Sequence, residues 1–275
     1  MTTLSSFKTF TNSLQQQERR MPVLFIGHGS PMNGIEDNEF SQRWKKMAGE
    51  IPTPKAVLVV SAHWFTRGTH ITAMEYPETI HDFGGFPKAL FDVRYPAPGD
   101  PRLAQETVSL IHSTKVGLAH DWGLDHGTWT AVRHMYPEAT IPVLQLSIDY
   151  TQGARYHYEL AKELEALRKK GVLIIGSGNM VHNLGLVSWE MIKGGGYDWA
   201  NEMNDKFKTL ILNNDHCSLI EYERLGKEAM LAVPTPEHYL PLLYTLALKG
   251  KDENVSFFND KAIGGSLTMT SVKID

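Results

Sequence analysis

Two hydrophobic rhythms alternate along the chain. Short, continuous apolar runs recur at 22–27 (PVLFIG), 55–62 (KAVLVVSA), 141–149 (IPVLQLSID) and 171–178 (GVLIIGSG). Runs of this length, rich in β-branched residues, predict buried strands. HITAMEY (70–76) predicts another. Between them, the patterns at 37–50, 101–113, 124–136, 151–170, 197–213, 216–230 and 235–248 predict helices. Pro52 and Pro54 end the first of these, and Pro236 stands near the first turn of the last, a favoured place. GGSLTMTSVKI (264–274) alternates and predicts a late strand. Strands alternating with helices predict an α/β fold: a single domain with a central mixed, largely parallel sheet flanked by helices. That domain spans 21–275. Residues 1–20 are polar, end in QQQERR and predict an N-terminal arm. The stretch 77–101 is punctuated by Gly and Pro and has neither rhythm. A loop of that length inside a compact domain more often carries function than not.

Composition narrows the partners. The 275 residues suit one large α/β domain, with ordinary hydrophobic (42%) and charged (21%) content. A formal net charge of -4 argues against nucleic acid or an anionic membrane surface. No apolar run approaches the roughly 18 residues of a membrane span. The first twenty residues lack the apolar core of a secretory signal. Cys217 is the single cysteine, so an internal disulfide and a Cys-built zinc site are both excluded. The expectation is a cytoplasmic monomer. Any metal chemistry must rest on carboxylates and on the 12 histidines.

Three of those histidines occupy equivalent places. His28 follows PVLFIG, His63 follows AVLVVSA, and His182 lies just past VLIIGSG. In open α/β sheets, ligands bind outside the carboxyl ends of the strands, and parallel pairing brings such ends to one edge. His238, at the start of the last predicted helix, is a fourth candidate. Imidazoles gathered in this way permit metal binding or acid–base catalysis. Three of them leave coordination positions open, and a fourth can act as base. A serine nucleophile is the weaker reading, because GHGSP and IGSGN lack the Gly-x-Ser-x-Gly elbow. His126, in DHGTW, is open between a substrate contact and a packing role. HDFGGFP (81–87) and YPAPG (95–99) either wall a pocket for a flat substrate or anchor a long loop.

GHGSP (27–31), SAHW (61–64), HDFGGFP (81–87), YPAPG (95–99), DHGTW (125–129), GSGNMVHNL (176–184) and TPEHYLPL (235–242) together resemble the LigB-type class III extradiol ring-cleavage dioxygenases. More narrowly, the sequence resembles the 4,5-DOPA extradiol dioxygenases of bacteria and plants. The resemblance implies that His28, His63 and His238 are metal ligands, with His182 the acid–base beside them and open as a fourth ligand. It implies that His126 contacts substrate or oxygen. Phe83 and Trp129, from the same motifs, are the further expected substrate contacts. Fe(II) is implied for activity, with Zn(II) able to fill the same site. The implied substrates are O2 and a catechol such as L-DOPA. One departure stands out. Better-known members complete the site with a Glu, whereas here the matching position is His238, with Glu237 beside it. Two other readings remain at this point: a zinc-dependent hydrolase on the same scaffold, and a chelatase-like metal-handling protein.

Overall fold

The computed structural model describes residues 20–275, so the predicted arm falls, but for Arg20, outside the described residues. The four strongest apolar runs form the centre of an eight-stranded sheet: β1 (Val23–Gly27), β2 (Ala56–Thr66), β5 (Val143–Asp149) and β6 (Val172–Gly178). Around them lie β3 (Thr69–Thr72), β4 (Val116–Ala119), β7 (Val255–Phe258) and β10 (Ser271–Ile274). The order is β4-β3-β5-β2-β6-β1-β10-β7, and a small hairpin pairs β8 (Ala262–Ile263) with β9 (Leu267–Thr268). The central strands pair in parallel, β5 with β2, β2 with β6, and β6 with β1. Antiparallel pairing enters where β10 meets β1 and β7, and where β3 meets β5. The chain is thus a single α/β domain with a mixed, mostly parallel sheet.

Alternation along each strand divides the core in two. Val23, Phe25, Leu58, Val60, Leu144 and Ile174 face one layer of helices. Leu24, Ile26, Val57, Val59, Leu173 and Ile175 face the other, where they meet Trp44, Met47 and Trp129. The helix Glu39–Glu50 belongs to this second layer. Asn38 caps it by accepting from the Phe40 and Ser41 amides, and the Ser41 hydroxyl accepts in return from the Asn38 amide. Losing such a cap costs about 1 kcal/mol.

The differences from the sequence expectation have physical causes. β2 does not stop before His63 but runs to Thr66, with a register shift against β5 between Val60 and Phe65. The expected strand over 264–274 is instead β9 and β10, separated by Met269 and Thr270. The expected helices over 151–170 and 216–230 break, the second at Gly226, whose φ of 118° no helix accommodates. The last expected helix starts at Leu240, with Pro241 rather than Pro236 in its first turn. His238 therefore sits in the turn ahead of that helix. β4 and β7, four residues each, were too short to show a rhythm.

Candidate metal centre

Local sequence aims each histidine. β1 ends at Gly27, and Gly29 turns the chain with φ +61°, a conformation that favours glycine. His28, between them, projects off the strand end and is 1% exposed. His63 lies in the irregular stretch of β2, where the lost register lets the strand re-aim its side chains. His126 opens the helix His126–Met135, capped by the Asp125 carboxylate on the Thr128 amide. His182 lies beyond β6, tied by its amide to the Ala232 carbonyl and by an isolated bridge to Leu267. His238 depends on Gly178. A Cβ there would stand 2.1 Å from the His238 carbonyl oxygen, so only glycine lets this turn lie against β6.

The five rings form one cluster. His63 and His126 have centroids 3.8 Å apart, His28 and His63 5.0 Å, and His28 and His238 5.4 Å. One ligand atom each from His28, His63 and His238 falls within 4.8 Å of the other two. Nε2 of His28 lies 3.1 Å from Nε2 of His63. Two nitrogens at that spacing suit a shared ion at the ~2.0–2.1 Å bond length of metal–imidazole contacts.

Hydrogen bonding fixes which nitrogens are free. Ser177 donates its only hydroxyl proton to the Gly127 carbonyl. Its oxygen, 3.0 Å from Nδ1 of His28, must therefore accept, which places the His28 proton on Nδ1 and the lone pair on Nε2. Nδ1 of His238 lies 3.3 Å from a Glu237 oxygen, which also accepts from Thr235. Nδ1 of His63 lies 3.3 Å from Oδ2 of Asp82. The donor set thus fits a metal: each ring has an outer partner on one nitrogen and presents the other inward. Glu237 supports His238 instead of replacing it.

Electrostatics agree. Burial, followed by the neighbouring His63, holds His28 well below the ordinary imidazole pKa; burial, followed by His182, does the same to His238. Burial, aided by His126, lowers His63 to about 3, and burial lowers His182 to about 4. All four are neutral at pH 7, the state in which imidazole binds metal or accepts a proton. Burial raises the Asp82 carboxyl, but the hydrogen bonds from His126 outweigh it and hold the group below the ordinary carboxylate range.

A cavity of about 850 Å³ opens onto the cluster. His28, His63, His126, His182 and His238 form its floor, with Phe83 and Phe86 on one wall. Leu184, Val187, Trp189 and Ile192 form its rim, and Glu36, Glu39 and Lys193 also line it. Phe83 stands edge-on to His126 at 5.5 Å. Trp129, expected as a substrate contact, is not among the residues that line the cavity. It is fully buried, donates Nε1–H to the Ile80 carbonyl and packs behind Phe83. His81 likewise turns away, to the Val93 carbonyl. Sequence reasoning did not single out Asp82, although HDFGGFP contained it. It also missed the role of Ser177, and of Asp125, which is fully buried and accepts from Ser61, Gln145 and Thr128.

Known proteins share this architecture. A curated Escherichia coli K12 relative, named "4,5-DOPA dioxygenase extradiol", is 48% identical over 93% of this chain and 95% of its own. A Beta vulgaris protein of the same name is 34% identical over 91% of this chain and 95% of its own. The crystal structure of an uncharacterized E. coli K12 protein superposes with a TM-score of 0.81 at 43% identity, covering 93% of this chain and 100% of the other. Residues 22–268 match the family described as "Catalytic LigB subunit of aromatic ring-opening dioxygenase". The chain belongs to that LigB family.

Proposed function

We propose that the protein is a mononuclear, metal-dependent extradiol dioxygenase that cleaves the ring of a catechol such as L-DOPA beside its two hydroxyls, using O2. The observation that carries this reading is the trio His28, His63 and His238, each with a nitrogen free toward one point, on the floor of an apolar-walled cavity. Membership of the LigB family favours ring opening over the hydrolase and chelatase readings.

His28, His63 and His238 would hold the ion. Fe(II) held there would supply Lewis acidity and a redox route to O2, which Zn(II) in the same site would lack. The chain supplies the rest. Phe83 and Phe86 hold the flat ring and keep water from it. His182, neutral at pH 7 and beside His238, accepts a hydroxyl proton as the catechol binds. His126 presents Nε2 to the same space, because its Nδ1 is bonded to Asp82 at 2.9 Å. With its proton on Nδ1, the ring would accept a hydrogen bond at Nε2 from a hydroxyl of the bound substrate. His182 then returns its proton as the ring opens.

The test is anaerobic loading with Fe(II), then L-DOPA and air in an oxygen electrode. Uptake of about one O2 per catechol, with a yellow ring-opened product and no uptake in Zn(II)-loaded enzyme, is expected. A fully Fe(II)-loaded protein that consumes no O2 with any catechol overturns the proposal.

A further inference from the structure

Asp82 touches two of the five histidines through one oxygen. Oδ2 accepts from Nδ1 of His126 at 2.9 Å and lies 3.3 Å from Nδ1 of His63. Oδ1 accepts from the His126 amide at 2.9 Å. The carboxylate is reached from neither neighbour in sequence. It comes from the 77–101 segment, which is pinned just ahead of the His126 helix by paired amide bonds between Glu78–Ile80 and Leu124. Asp82 is thus mounted on the loop that also brings Phe83 to the cavity wall.

We propose that Asp82 is a positioning residue that locks His63 and His126 in the same tautomer, with protons on Nδ1, and so couples metal affinity to proton handling. The proposal rests on the metal-centre reading above. If Nε2 of His63 gives its lone pair to an ion, Nδ1 must carry the proton, and Asp82 is the carboxylate that faces it. The same oxygen fixes His126, so both rings turn Nε2 toward the cavity. A rival use of the trio His63, Asp82 and His126 is as a metal site of its own. The 2.9 Å bond to His126 and the engagement of Oδ1 by the His126 amide favour hydrogen bonding, with His63 facing the same oxygen at 3.3 Å.

The experiment uses the full chain and does not need turnover. In the Zn(II)-loaded protein, ¹⁵N histidine spectra should show His63 protonated at Nδ1 and bound through Nε2, and His126 protonated at Nδ1. Either ring found in the other tautomer overturns the proposal, and this arm needs no variant that might misfold. In Asp82→Asn, Co(II) affinity should fall about 10–100-fold, with a changed visible spectrum, and it should fall by a similar factor in a His126→Ala background. Affinity within twofold of wild type overturns it. So does a second equivalent of bound Zn(II) that Asp82→Asn removes, since that makes the trio a metal site. Should the catechol reading fail while these results hold, Asp82 keeps its role at the metal.

Discussion

His182 lies face to face with His238, ring centroids 3.6 Å apart and planes inclined by 8°. The contact places the proposed base against a proposed ligand without requiring it to coordinate. His182→Ala should therefore retain close to one equivalent of metal, while kcat falls about 10²–10⁴-fold, the range for losing a positioned acid–base. Elemental analysis beside turnover checks this. Loss of the metal itself would make His182 a ligand.

Gly178 holds the room in which the His238 turn lies. Gly178→Ala puts a methyl into the His238 carbonyl and should destabilise the fold by about 1–3 kcal/mol, with weaker metal binding. Gly49→Ala, where an added Cβ meets nothing within 4 Å, is the control and should be neutral or stabilising by up to about 1 kcal/mol. Urea melts of the two variants, with metal titrations, decide it. Equal behaviour would mean the turn can shift freely.

Acid should loosen the metal-stripped chain. His63 and His182 are held at about 3 and about 4 in the fold, and His28 and His238 also lie low. Unfolding restores ordinary imidazoles near ~6.5. Below that pH the unfolded chain binds more protons, so stability rises with pH across about 4 to 6.5 and is lost on descent. Asp125, pushed up to about 6 by burial and by Asp82, acts in the opposite sense, but it is one group against four. The urea midpoint should fall steadily from pH 7 to pH 4.5. A flat profile rules this out.

Trp189 lines the cavity while 80% exposed, which leaves its ring room to cover the proposed catechol. Trp189→Ala should raise KM several-fold with kcat and metal content nearly unchanged, the pattern of lost uniform binding. A fall in kcat at constant KM would place the ring in the reaction instead.

How much of this could be read from the chain depends on distance along it. His28 and the strand before it announce themselves within ten residues, as does the β6–His182 segment. The parallel centre of the sheet follows from the apolar runs. Asp82 and Glu237 were not legible as supports, because their roles exist only as contacts of about 3 Å made by folding. Trp129 misled because it shares a motif with His126, yet the 77–101 segment covers it from outside. His63 was expected just past a strand end, but its strand continues to Thr66 and the irregular pairing aims it.

The turn that carries His28 is held from far away. The Gly27 amide donates to Ser271 on β10, 244 residues later, and the Met269 backbone packs where a Gly27 side chain would stand. On the ribosome, the first histidine of the cluster therefore waits for nearly the whole of this sequence to be made. A product that stops between His238 and Met269 carries all five histidines but lacks both contacts that hold this turn.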